Sequence, residues 1–193
     1  MKQPYILILY FSRFGHVEKL AEQLRLGVES EMMEARLRTV PTISKNGEFV
    51  SETAPPDSPI YCKESDLIGC SGLLIGSPTR FGNMAAELKL FLDSTANIWL
   101  SGSLIGKPAG VFTASSSFHG GQESTLLSMM IPLLHHGMIL TGVPYSEAAL
   151  NKTKRGGTPY GSSHIESDEL SPEERQICRT QGKNIARLTR KLL

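Results

Sequence analysis

The chain has 193 residues, with 20 lysines and arginines against 19 aspartates and glutamates, so its formal net charge at pH 7 is +1. A chain of this length can bury one sizeable core, and residues 1–193 are expected to form a single domain. Because the charge is balanced, there is no large field to attract nucleic acid or an anionic membrane surface, so neither is an expected partner.

Short apolar runs that predict strands alternate along the chain with longer segments of helical period. The predicted strands are Tyr5–Tyr10, 35–40, 72–76, 109–113 and 138–143. The first, third and fifth runs show little alternation, as in strands that helices cover on both faces, whereas ARLRTV at 35–40 alternates like an edge strand. Strands and helices in this order predict an open, doubly wound α/β sheet.

Three apolar stripes at helical spacing predict the faces that helices bury. The first is Val17, Leu20, Ala21, Leu24 and Val28; the second is Leu88, Phe91, Leu92 and Thr95; the third is Leu126, Met129, Met130, Leu133 and Leu134. The last helix is predicted to begin at SPEE, 171–174, a capping box with proline at the first helical position. Segments 41–59 and 151–163 are polar and rich in turn residues, so both are expected to be loops.

Three loops that follow predicted strands carry hydroxyls and glycines and lead into helices: SRFGHV at 12–17, SPTRFGNM at 77–84 and ASSSFHGGQE at 114–123. Each loop alone can be explained as an ordinary turn with a helix cap. Together they indicate a ligand, because ligands of open α/β sheets bind at the carboxyl ends of the strands. Unpaired N–H groups at the start of a helix suit a phosphate, so we expect a planar, phosphorylated ligand.

Two common nucleotide-binding motifs, the GxGxxG fingerprint and the P-loop, are absent from the sequence, and the cysteines form no zinc motif. No GxGxxG fingerprint occurs, and GSLIGKP at 102–108 lacks the spacing and final hydroxyl of a P-loop. Cys62, Cys70 and Cys178 are odd in number, so we expect free thiols and no metal site. No apolar stretch approaches the ~20 residues of a membrane helix, and no signal-peptide cleavage pattern is present. A cytoplasmic protein without an integral membrane segment is expected.

The motifs SRFGHV, SPTRFGNM, HGGQE, LLHHGM and RGGTPYG, in this order, resemble those of the WrbA-type NAD(P)H:quinone oxidoreductases. These enzymes belong to the flavodoxin-like superfamily, and the resemblance extends over nearly the whole chain. It implies a flavodoxin-like fold: a five-stranded parallel sheet in the order 2-1-3-4-5 with helices on both faces. It also implies FMN at the carboxyl edge of the sheet, NADH or NADPH as co-substrate, a quinone substrate and a homotetramer.

The resemblance further implies which residues bind FMN. The phosphate loop is Ser12, Arg13, Phe14, Gly15, His16 and Val17; the first segment beside the ring is Pro78, Thr79, Arg80, Phe81, Gly82 and Asn83; the second is Ala114, Ser115, Ser116, Ser117, Phe118, His119, Gly120 and Gly121. His135 is expected to reach the flavin, and Phe14, Trp99 and His135 are expected at the nicotinamide and quinone site. Because the phosphate loop has few hydroxyls, phosphate binding is expected to rely on backbone amides and His16.

The predicted activity is two-electron reduction of quinones by NADH or NADPH, with hydride passing through the flavin in a ping-pong sequence. No catalytic side chain is assigned, since the flavin carries the chemistry. Two alternatives stay open: a flavodoxin-type one-electron carrier, which the balanced charge disfavours, and a non-enzymatic interaction protein with a vestigial FMN site. From the residues alone, His135 also suits a helix end, and Trp99 also suits a core or an interface.

Overall fold

Strands and helices alternate along the chain in a computed structural model that describes residues 3–51, 53–56 and 58–193. The strands are β1 (Tyr5–Tyr10), β2 (Glu34–Thr39), β3 (Gly72–Pro78), β4 (Pro108–Ser115), β5 (Ile139–Leu140) and β6 (Gly161–Ile165). The helices are α1 (His16–Glu29), α2 (Glu64–Gly69), α3 (Ala86–Asp93), α4 (Ala96–Leu100), α5 (Gln122–His135), α6 (Ala148–Lys152) and α7 (Pro172–Leu192). Among the described residues, no helix has the length and apolar character to cross a membrane.

All strands join one parallel sheet in the order β2-β1-β3-β4-β5, and β6 also pairs with β4. The predicted strand order is therefore confirmed. β5 pairs with Pro108 and Ala109 at the start of β4, whereas β6 pairs with residues 111–115 of the same strand. Two separate segments thus share the outer position beside β4, so the sheet is five strands wide although six segments build it.

Two sequence predictions near this edge are wrong. The predicted strand 138–143 forms only over Ile139–Leu140, and the predicted loop 151–163 contains the end of α6 and the start of β6. β6 lacks a hydrophobic pattern because three of its five buried residues, Ser162, Ser163 and His164, are polar. Gln181 on α7 satisfies Ser162, since its Oε1 accepts from both the N–H and the hydroxyl of that serine, at 2.9 and 2.7 Å.

Alternate side chains of β1 face opposite layers of the fold. Ile6 and Ile8 pack in one core with α1 and α7, whereas Leu7 and Leu9 pack in a second core with α3 and α5. In the first core α1 and α7 lie close together. A Cβ atom at Gly182 would clash with the carbonyl oxygen of Leu24, so glycine is needed there. The predicted helices on both faces of the sheet are thereby confirmed.

The helical stripes of the sequence are buried with few exceptions. The first stripe is buried in full along α1, and the capping box of α7 forms as predicted. Leu134, which the stripe predicts on the buried face of α5, is exposed. Thr95 is buried as predicted, but it lies beyond α3 as the N-cap of α4. Within segment 41–59, whose residues 52 and 57 lie outside the described chain, the described part contains no helix or strand, as predicted for a loop.

A buried carboxylate, that of Glu174 in the first turn of α7, joins three segments of the chain. Its Oε2 accepts from the N–H of Ser171 at 2.7 Å, and its Oε1 accepts from the N–H of Gly156 at 3.0 Å. The same Oε1 lies 3.0 Å from Nδ1 of His164 on β6. Burial alone would raise the pKa of Glu174, but these hydrogen bonds outweigh it and lower the pKa below the ordinary 4.5. The carboxylate therefore fixes the start of α7 against β6.

The variant Glu174→Gln should lower the free energy of unfolding by about 2 kcal/mol at pH 7, because the amide places an NH₂ group against backbone donors. A carboxyl with a lowered pKa stabilises the fold at neutral pH and loses that effect as the pH falls below about 4.5. The stability gap between wild type and variant in urea unfolding should therefore narrow towards pH 3.5. Glu123→Gln, which changes an exposed glutamate in the first turn of α5, is the control. A gap that stays constant with pH would contradict this account.

Candidate functional site

Three loops at the carboxyl ends of β1, β3 and β4 enclose a cleft of about 220 Å³. Parallel strands bring these loops to one edge of the sheet, as the sequence predicted. The cleft is lined by Ser12, Arg13, Phe14, His16, Val17, Pro78, Thr79, Arg80, Ala114, Ser115, Ser116 and Glu166. All of these except Glu166 were predicted site residues, so the structure brings together members of all three predicted loops.

The loop after β1 presents the start of α1 to the cleft. Gly15 is the N-cap of α1 with φ +83°, and the hydroxyl of Ser12 accepts weakly from the N–H of Glu18 at 3.4 Å. In the described chain, no oxygen accepts a hydrogen bond from the N–H groups of residues 13–16. Unpaired N–H groups at the positive end of a helix dipole form a site for an anion.

The loop after β3 makes a tight turn beside the cleft. Arg80 and Asn83 exchange two backbone hydrogen bonds of 2.7 and 3.0 Å, and both residues between them have positive φ, 51° at Phe81 and 76° at Gly82. This is the pattern of a type I′ turn, which strains a residue with a Cβ atom at its first central position. Phe81 takes that position with its side chain fully exposed.

The third loop is held against this turn. The N–H of Thr79 donates to the carbonyl of Ala114 at 2.9 Å, and its hydroxyl donates to the carbonyl of Gly120 at 3.2 Å. The backbones of the two loops are also in close contact at Gly121 and Gly82. A Cβ atom at Gly121 would lie only 2.8 Å from Cα of Gly82. These glycines set the distance between the two walls of the cleft.

Nine other predicted residues belong to the same loops but do not line the cleft: Gly15, Phe81, Gly82, Asn83, Ser117, Phe118, His119, Gly120 and Gly121. Asn83 accepts from the N–H of Met84 at 2.8 Å through Oδ1, although α3 begins only at Ala86. For all nine of these residues, contact with a ligand stays a prediction.

Trp99 and His135 lie together in a second groove of about 330 Å³ between α4 and α5, which shares no lining residue with the cleft. Phe14 lines the cleft. Next to His135, the buried His136 has Nε2 3.0 Å from the hydroxyl of Thr95. Burial, together with His135, lowers the pKa of His136. Within one chain, then, the three residues predicted for the nicotinamide and quinone site fall in two places.

Sequence reasoning missed Glu166, which follows β6 and lines the cleft. Its Oε1 lies 3.3 Å from Nε2 of His16. The ring of His16 in turn lies near that of His164, with 5.7 Å between the ring centroids. His164 is fully buried, and its Nε2 has no partner among the described residues. The clue was present in principle, because Glu166 follows a strand of the same sheet, but that strand was not predicted.

Sequence comparison relates the chain to known reductases. Residues 15–150 match the family model described as NADPH-dependent FMN reductase. A protein of Solidesulfovibrio magneticus named NAD(P)H dehydrogenase (quinone) is 41% identical, with 97% of this chain and 98% of that protein covered. A protein of the same name from Geobacter sulfurreducens is 40% identical, again with 97% of this chain and 98% of that protein covered.

Structural comparison relates the fold to flavodoxins. The flavodoxin, WrbA-like protein of Agrobacterium tumefaciens matches with a TM-score of 0.70 at 21% identity, covering 98% of this chain and 99% of that one. An archaeal flavodoxin matches with a TM-score of 0.64 at 17% identity, covering 96% and 99%. At these identities the likeness establishes the fold alone, which is flavodoxin-like.

Replacing Gly121 with alanine tests how closely the two walls of the cleft approach. Gly121→Ala adds both the strain of a side chain at φ +87° and a contact with Gly82, whereas Gly106→Ala at φ +74° adds strain in open space. The free energy of unfolding should therefore fall by about 1–2 kcal/mol more for Gly121→Ala than for Gly106→Ala. Equal losses in urea unfolding would show that the walls do not need this close contact.

Proposed function

Since the chain belongs to the family of NADPH-dependent FMN reductases, we propose that it is an FMN-dependent NAD(P)H:quinone oxidoreductase. Its curated relatives named NAD(P)H dehydrogenase (quinone) are aligned over nearly their full length, which supports the quinone as the electron acceptor. The observation that carries the proposal is the cleft at the carboxyl ends of β1, β3 and β4, with unpaired N–H groups at the start of α1.

The residues of the cleft fit FMN. The N–H groups of 13–16 and the positive end of α1 suit the phosphate, and His16 adds an imidazole to the same loop. Thr79, Arg80 and the backbone of 114–116 form the walls for the flat ring. When FMN is bound, its isoalloxazine ring supplies the chemistry of hydride acceptance and quinone reduction. The role of the chain is to hold the ring, orient it and leave one face open for the substrates.

This division of labour agrees with the state of the cysteines. All three are free, and burial raises the pKa of Cys70 to about 11 and that of Cys178 to about 12. Such thiols stay protonated and are poor nucleophiles at neutral pH. Cys70 and Cys178 therefore have no covalent role in the proposed reaction.

The assembly and location are further parts of the proposal. We place the protein in the cytoplasm, in accord with its free thiols. We also propose a homotetramer, in which a neighbouring copy covers the groove around Trp99. Trp99, Leu100, Ile131 and Leu134 expose more than half of their surface on α4 and α5, which supports an interface there.

The activity test follows NADH or NADPH oxidation by the purified protein, supplied with FMN, with and without benzoquinone. Quinone-dependent turnover with at least one donor is expected, with parallel lines in a double-reciprocal plot because both substrates use one site in turn. Bound FMN without turnover with either donor would overturn the enzyme assignment. A stable one-electron-reduced form in an anaerobic titration would instead favour the carrier.

Light scattering coupled to gel filtration tests the assembly. Ile131→Lys places a charge in the proposed interface, so the variant should elute as a smaller species, whereas wild type elutes near four times the 21.1 kDa chain mass. Ile60→Lys, which changes a side chain exposed to the same degree on the β2 side of the sheet, should leave the mass unchanged. A monomeric wild type would refute the tetramer.

A further inference from the structure

Glu166 puts a negative charge into a cleft whose other features favour an anion. Its side chain is half exposed and lines the cleft beside Ser12, Arg13 and His16. Its backbone N–H donates to the carbonyl of Ser115 at 2.8 Å, which fixes the residue at the end of β6. The side chain has no other recorded polar partner among the described residues than His16.

The carboxylate of Glu166 contacts Nε2, the ring nitrogen of His16 that faces the cleft. Nδ1 of His16 is buried and has no hydrogen-bond partner in the described chain, and the ring packs near that of His164 on the inner side. Nε2 lies 3.3 Å from Glu166 Oε1. A phosphate at the start of α1 and the carboxylate of Glu166 would therefore use the same imidazole. Two anions in one partly buried place also repel each other.

We propose that Glu166 is a selectivity residue that weakens the binding of the phosphate end of FMN by competing with it for His16 and by repelling it within the cleft. The carboxylate lowers the preference for a phosphorylated flavin over a neutral one and keeps FMN exchangeable. This inference rests on the proposed function, because it takes FMN as the ligand of the cleft. It differs from the sequence expectation, which counted only the groups that attract the phosphate.

The test compares FMN with riboflavin, which lacks the phosphate. Dissociation constants are measured by quenching of flavin fluorescence with the full chain, freed of flavin by dialysis, for wild type and Glu166→Gln. The variant should bind FMN about tenfold more tightly at low salt and riboflavin within about twofold of wild type. The gain for FMN should shrink as salt rises, because screening weakens the repulsion.

Glu169→Gln is the matched control, because it removes an exposed carboxylate from the same segment between β6 and α7 and does not line the cleft. It should change neither affinity. Inorganic phosphate, added as a competitor of FMN, should compete better in Glu166→Gln than in wild type. Melting temperatures check folding, since the substitution keeps the backbone bond to Ser115.

Unchanged or weaker FMN binding by Glu166→Gln would overturn the inference, and so would an equal gain for both flavins, which would place Glu166 against the ring. A gain for FMN alone in an enzyme that oxidises no nicotinamide would support the inference and refute the proposed function. Normal turnover with no gain for FMN would do the reverse.

Discussion

The packing of α7 against β6 depends on the hydrogen bonds that the buried carboxylate of Glu174 accepts. A carboxylate inside a protein is stable only when donors surround it, and here they come from the cap of α7, the loop at Gly156 and His164 on β6. Of these three segments only β6 belongs to the sheet, whereas the cap of α7 and the loop at Gly156 lie outside its hydrogen-bond ladder. Their common partner fixes their relative positions, so a strand with little apolar surface is kept in the sheet.

This constraint extends to the cleft through β6. His164 holds its place by contact with Glu174, and the next residue but one, Glu166, lines the cleft beside His16. The position of a carboxylate in the cleft thus depends on a carboxylate buried at the start of α7. The two acids have opposite surroundings, since one is enclosed by donors and the other is half exposed to solvent. Their roles differ for that reason.

The sequence predicted those parts of the fold that apolar surface determines. The bounds of β1 and the buried face of α1 followed from hydrophobic pattern alone, and the cleft loops followed from the rule that ligands bind at strand ends. β6 could not be predicted in this way, because Ser162, Ser163 and His164 are buried by partners that lie 6 to 19 positions away. The same limit hid Glu166. The separation of Trp99 and His135 from Phe14 depends on helix placement, which local pattern does not encode.

The outer position beside β4 is shared by β5 and β6, and this division separates two properties of the molecule. The chain between these strands, residues 141–160, returns to the same side of β4. Insertions or deletions before Gly156, whose N–H binds Glu174, can reshape the outer surface while Glu166 stays at the cleft. Change in this outer surface is thereby independent of change in the cleft. A single uninterrupted strand would have tied the two together.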